Sequence, residues 1–125
     1  MTLIIEGNDG TGKSTLVAKL RAWGYDAADR GIMTRMTDNP SLSPSDDEFY
    51  ILLDAPVIIC RERLKRAGKD LNERYHTIKD LTFYRDRFLD IAKQIGSHHS
   101  AVVDASGPPE KTFEEALKVI QRIST

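Results

Sequence analysis

The stretch Gly7-Asn8-Asp9-Gly10-Thr11-Gly12-Lys13-Ser14 constrains this chain more than any other. It fits the pattern glycine, four residues, glycine, lysine, serine, and both flanks suit that pattern. The apolar run Leu3-Ile4-Ile5 precedes it, and Leu16, Val17, Leu20 and Trp23 follow at helical spacing up to Gly24. A strand that turns through glycines into a helix aims successive backbone N–H groups at one point, where the helix terminus adds partial positive charge. Such a loop holds the phosphates of a nucleoside triphosphate, and ATP is the expected donor. Asn8, Asp9, Gly10, Thr11 and Gly12 form its backbone cradle. Lys13 reaches the β- and γ-phosphates, Ser14 takes a place on Mg2+, and Thr15 contacts the α-phosphate.

The rest of the chain alternates the two periodicities. "YDAAD" (25–29) and "AVVD" (101–104) read as short strands and "FYILLD" (49–54) as a buried one. Val57, Cys60, Leu64 and Ala67 space as a helix begun by Pro56, although the β-branched "VII" also allows a strand. Leu71, Tyr75, Ile78, Leu81, Phe88, Ile91 and Ile95 predict one long helix ending near Gly96, and Phe113 to Ile123 a last one. Residues 37–48, rich in Ser, Pro, Asp and Asn, read as a loop. The order implies a single domain over 1–125. Its expected class is a three-layer α/β fold of the P-loop NTPase type, with a small, mostly parallel sheet and ligands at the carboxyl ends of the strands.

Composition excludes several classes. A formal net charge of −1 advertises neither a nucleic-acid nor a membrane partner. No apolar run approaches membrane-spanning length, and a cytoplasmic protein is expected. Cys60 is the single cysteine, so no internal disulfide forms; it reads as core filler. His76, His98 and His99 lack metal-ligand spacing and are expected on the surface. For the carboxylate beside the metal, Asp54 and Asp29 both close strands. Pattern alone favours Asp54, with helix capping as its other reading.

"LIIEGNDGTGKSTL", "LDAPVIICRERLKRAGKD" and "AVVDASG" together resemble the thymidylate kinases and related deoxynucleoside monophosphate kinases, over residues 1–24 and 49–125. The resemblance implies a phosphotransferase using ATP and Mg2+. It matches "DRG" (29–31) to the family's Asp-Arg pair, which makes Asp29 the acidic group near metal and acceptor and puts Arg30 on the acceptor side. Asp54 then becomes structural or a helix cap. Arg63 and Arg66, three apart on one helix face, correspond to arginines that close over the migrating phosphoryl group, and Arg74 to a further lid residue. Ala105, Ser106 and Gly107 correspond to the adenine-side loop. Family members are often dimers, which leaves a homodimer open.

The chain also departs from that family. Only Gly24 to Ala28 separate Trp23 from Asp29, where full-length members carry the segment that walls the monophosphate pocket. An open acceptor side is therefore expected, with a free monophosphate poorly positioned. The compact order of loop, helix, strand and Asp-Arg also resembles polynucleotide kinases, in which the aspartate takes a proton from an acceptor hydroxyl. A hydroxyl on DNA is the favoured acceptor. The compact P-loop kinases of bacterial viruses that phosphorylate 5-hydroxymethyluracil in DNA are one family of that kind, and they would need the base flipped out. Arg35 would then face DNA phosphate and Met33 and Met36 a base, unless the methionines simply pack in the core. A free deoxynucleoside monophosphate is the alternative acceptor, and a non-catalytic nucleotide switch the lesser one. An NTPase motor lacks support, since no feature resembles a coupling element.

Overall fold

The computed structural model describes residues 1–124. Four parallel strands form one sheet in the order β2-β1-β3-β4: β1 is Thr2–Gly7, β2 Ala27–Ala28, β3 Glu48–Asp54 and β4 Ser100–Asp104. β1 pairs with β3 from Thr2 opposite Glu48 to Gly7 opposite Leu53, so both strands end at the same edge. The phosphate-binding loop leaves β1 at that edge. β2 lies on one side of β1 and β3 on the other, so the loop sits where the strand order switches, the usual ligand position in such sheets.

Five helices cover the two faces: α1 (Lys13–Ala22), α2 (Ile32–Asp38), α3 (Val57–Arg66), α4 (Ile78–Ile95) and α5 (Pro109–Ile123). Strand alternation decides which residues meet which helices. Leu3, Ile5, Phe49, Ile51, Leu53 and Val103 face α1 and α5, against Leu16, Leu20, Ala116 and Ile120. Ile4, Tyr50 and Leu52 face the other way, against Met33 of α2 and Tyr84, Phe88 and Ile91 of α4. Each fully buried Leu, Ile or Phe among these contributes about 1.5–3 kcal/mol of transfer free energy. A third cluster of Ala55, Cys60, Leu64 and Leu81 joins α3 to α4, with Cys60 as the expected filler. Among the described residues no helix is long and apolar enough to cross a membrane.

Several expected elements shift. The long helix begins at Ile78, not Leu71. Thr77 caps it by accepting the Asp80 N–H, while the Asp80 carboxylate accepts the N–H of Tyr75 at 2.9 Å. Tyr75 stands at φ 72, so the chain turns there, and Leu71 makes its apolar contact from a loop. The segment after Val57 is helix, so its β-branched residues do not continue the strand. α2 runs to Asp38, into the stretch expected as loop. Trp23, at helical spacing with Leu16 and Leu20, is 65% exposed just past the end of α1 and meets Phe113 edge-on.

Candidate functional site

The loop after β1 is built from glycines that no other residue replaces without strain. Gly10 stands at φ 89, and a Cβ there would lie 2.7 Å from the Cys60 carbonyl oxygen. Buried Asn8 donates to the Leu81 carbonyl at 2.8 Å, and the Thr11 hydroxyl donates to the Asn8 carbonyl at 2.7 Å. The loop is thus tied to α4 on one side and seated against α3 on the other. Asn8 and Thr11 are fixed by these bonds, while Ser14 and Thr15 on the first turn of α1 are exposed.

Lys13 lies between two carboxylates, 3.8 Å from Asp9 Oδ1 and 4.0 Å from Asp29 Oδ2. Asp29 follows the short β2 and reaches back to the loop, so the Asp-Arg pair comes together with the lysine. Asp54 is engaged elsewhere. Its carboxylate accepts two bonds from Arg85, at 2.8 and 3.1 Å, and α3 has no side-chain cap. Of the two roles expected for Asp54, structural or helix cap, its ion pair with α4 is the structural one. Arg30 turns toward Glu48 in a short charge-assisted contact.

His76 corrects an expectation: it is buried, not a surface residue. Its Nδ1 meets the Asp70 carbonyl at 2.9 Å and its Nε2 meets Asp9 Oδ2 at 3.0 Å, so both ring nitrogens are satisfied. Burial by itself disfavours the charged ring, but these two bonds, with Asp9 and Glu73 nearby, hold its pKa above the ordinary value. His98 and His99 lie on the turn before β4, as expected.

Two recesses of about 310 Å³ each flank the loop. One is lined by Gly12, Thr15, Arg63, Arg66 and Gly107. Arg63 donates to the carbonyls of Gly10 and Gly107 at 3.2 and 2.9 Å, so it clips the glycine loop to the loop after β4. Arg66 is exposed, with a loose Glu62 partner at 3.8 Å. Ser106 bonds back to Asp104 through both its N–H and its hydroxyl. The other recess combines Asp9 and Lys13 with Arg30, Arg35, Tyr84 and Phe88. Gly31, Thr34 and Arg35 at α2, Tyr75, and Tyr84 and Phe88 of α4 line this recess. Tyr84 lies 5.2 Å from Tyr75 and 5.7 Å from Phe88, ring centre to ring centre, and the Arg74 guanidinium lies 4.7 Å over Tyr75. Met33 is wholly buried and Met36 packs against the same cluster, so both methionines serve the core.

Sequence reasoning missed Glu6. This carboxyl is buried and accepts the N–H groups of Ile32 at 2.8 Å and Met33 at 3.2 Å. Burial pushes its pKa up to about 7, against the pull of those two bonds and of Lys13. A single polar residue inside an apolar strand was the available signal. The pairing of Tyr75 with Tyr84 was not legible, because the two stand on a loop and a helix that read as one continuous helix.

Three comparisons with known proteins bear on this arrangement. A scan against models of protein families matches none. By structure, the chain is similar to the deoxyadenosine kinase from M. mycoides solved with dATP bound, at TM-score 0.70 and 15% identity, over 97% of this chain and 100% of that one. It is also similar to a gluconokinase from Sinorhizobium meliloti 1021, at TM-score 0.62 and 15% identity, over 98% and 92% of the two chains. The fold is that of a P-loop NTPase, three layers around a small parallel sheet. By sequence, the chain is 30% identical over 146 aligned positions to the bifunctional cordycepin biosynthesis cluster protein 3 of Cordyceps militaris. It is 33% identical over 75 positions to a probable thymidylate kinase 1 of Saccharolobus solfataricus. These alignments take in 95% and 60% of this chain but only 16% and 36% of the relatives' own lengths.

Proposed function

We propose that the protein is a kinase that moves the γ-phosphate of a nucleoside triphosphate onto a nucleoside or nucleotide. One observation carries this reading: the glycine loop lies between two recesses, Gly12 lining one with exposed Thr15 and Arg66, and the adjoining Lys13 lining the other with its aromatic wall. The donor's base and α-phosphate fit the first recess, beside Thr15, Arg66 and Gly107. The acceptor's base fits the second, against Tyr84 and Phe88, where flat aromatic faces stack without demanding a hydrogen-bond code. Relatives and neighbours described as thymidylate, deoxyadenosine and gluconate kinases support the same class.

The roles follow from what phosphoryl transfer requires, which is chiefly positioning and charge stabilisation. Lys13 binds the β- and γ-phosphates, and the glycine-loop N–H groups orient them. Arg66, free to swing, covers the donor phosphates, and Arg63 holds the loop in shape beneath them. With a nucleoside acceptor, Asp29 takes the proton from its hydroxyl as the new O–P bond forms, its carboxylate kept near the reacting phosphate by Lys13. With a nucleotide acceptor, whose attacking oxygen is already ionised, Arg35 faces its phosphate, with Arg30 beside it in its pair with Glu48. Mg2+ fits this donor set, since it binds through one or two protein oxygens plus substrate phosphates. Ser14 and Asp29 would hold it, and it would neutralise charge on the β- and γ-oxygens.

A second reading has the acceptor carried by DNA, with a hydroxymethyl group on an unstacked base, as in 5-hydroxymethyldeoxyuridine. Exposed Arg35 and Arg74 beside the aromatic recess favour it, as cations suited to flanking phosphates. Transfer of labelled γ-phosphate from Mg-ATP tests both readings. The acceptors are deoxynucleosides, dTMP and the other deoxynucleoside monophosphates, DNA with a 5′-hydroxyl, and DNA containing 5-hydroxymethyluracil. Label on any acceptor, absent with Lys13→Ala, supports a kinase. Label on DNA alone selects the second reading, and no label on any member defeats both.

A further inference from the structure

α2 has only seven residues, and its N-cap, Gly31, stands at φ 60 with no side chain to satisfy the first amides. A helix this short does not hold itself together in water. Glu6 supplies what the helix lacks, from a different element: its two carboxylate oxygens each take one N–H of the first turn, from Ile32 and Met33. Glu6 belongs to β1 and directly precedes Gly7, the first glycine of the phosphate-binding loop. Two further contacts brace the same segment. Arg30 pairs with Glu48 at the start of β3, and Arg35 donates to the Arg30 carbonyl at 3.0 Å. α2 in turn presents Thr34 and Arg35 to the aromatic recess.

We infer that Glu6 is a positioning residue that fixes the acceptor wall, Thr34 and Arg35 on α2, at a set distance from the donor loop. The inference rests on the kinase reading for the word acceptor, while the coupling of Glu6 to α2 does not. A carboxylate in an apolar strand is costly, and a leucine there would satisfy the core better. Its position gives one rigid strand command of both sides of the reaction: the loop that begins one residue later, and the helix whose first amides it holds. Phosphoryl transfer depends steeply on the separation and alignment of donor and acceptor, so loosening α2 reaches the chemistry without touching either substrate.

Glu6→Gln tests this, because the amide keeps shape and removes one acceptor, facing an NH2 toward a backbone N–H. Glu6→Leu, which fills the volume with no acceptor at all, is the second variant. Hydrogen exchange of the α2 amides is read first, in the protein without ligands. At about pH 8, where the Glu6 carboxyl is mostly ionised, both variants are expected to speed it by about 10- to 100-fold, the factor one charge-assisted hydrogen bond carries. Exchange in β1, β3 and α1 should stay as in the wild type. In steady-state kinetics with the acceptor found above, the KM for acceptor should rise roughly tenfold or more while the KM for ATP stays within about twofold. Unchanged α2 exchange in both variants overturns the inference. So does an equal loss of ATP and acceptor affinity, which would mark Glu6 as a general core residue. If the wild type transfers phosphate to nothing, the kinase reading fails alone, and α2 exchange still decides whether Glu6 holds the helix.

Discussion

Gly10 and Gly12 lie two residues apart in the same loop, at nearly equal backbone angles, φ 89 and 92. Replacing each with alanine separates two costs that usually come mixed. The left-handed conformation by itself costs an L-residue about 1–2 kcal/mol. At Gly12 that is the whole cost, since an added Cβ meets nothing within 4 Å. At Gly10 the Cβ would lie 2.7 Å from the Cys60 carbonyl oxygen and 3.0 Å from the Cys60 Cα. Those are backbone atoms of α3, packed through Cys60 and Leu64 onto α4, and they cannot swing aside. Forced overpacking of this kind adds about 1–3 kcal/mol, so Gly10→Ala should cost about 2–5 kcal/mol in all. Against a domain stability of about 5–15 kcal/mol, that is a large fraction. Urea unfolding of the two variants, under one set of conditions, reads the difference directly. Gly12→Ala should unfold at modestly lower urea than the wild type, by about 1–2 kcal/mol, and Gly10→Ala at clearly lower urea still. Equal destabilisation would refute the claim that contact with α3 shapes the loop.

Other outcomes follow from the same contacts. Glu6 has a folded pKa raised from 4.5 to about 7, so its contribution is fully present below about pH 4.5 and is lost as pH rises through 7. Stability should therefore fall by about 3 kcal/mol across that window, and Glu6→Gln should flatten the curve of denaturation midpoint against pH. Arg85→Ala leaves Asp54 without its partner; the pair is partly buried, so a loss of about 1–2 kcal/mol is expected in urea unfolding. Lys13→Ala removes the cation that Asp9 and Asp29 share, and should lower kcat by about 100- to 1000-fold with little loss of stability, measured by transfer kinetics and urea unfolding together.

The sequence made the glycine loop legible and the aromatic recess beside it obscure, for a physical reason. Gly7 to Ser14 is one contiguous loop whose chemistry is mostly backbone, so spacing alone reveals it. The opposite recess draws on residues far apart in the chain: Arg35 from α2, Tyr75 from a turn, Tyr84 and Phe88 from α4. Helical spacing carried the reading straight through Leu71 and Tyr75, because apolar contacts made from a turn repeat much as those of a helix do. His76 looked like a surface histidine because its partners, Asp9 and the Asp70 carbonyl, approach from a remote loop and from backbone. Asp54 was easy to see at the end of a strong strand, but its partner Arg85 stands 31 positions later, beyond any local pattern. The short link between Trp23 and Asp29 was visible in the sequence, whereas the residues that line the neighbouring recess were not.

The most direct test of the two-recess account is the affinity of a bisubstrate analogue, adenosine joined through a polyphosphate to a second nucleoside, measured by calorimetry. Such a molecule spans the loop and occupies both recesses at once. It should bind the wild type at least about 100-fold tighter than ATP, since both ends and the bridging charge are held together. In Tyr84→Leu, which keeps the core filled but removes an aromatic face, that advantage should shrink to a few-fold while ATP binding holds. An analogue that binds no tighter than ATP, or an advantage that survives intact in Tyr84→Leu, would contradict the account.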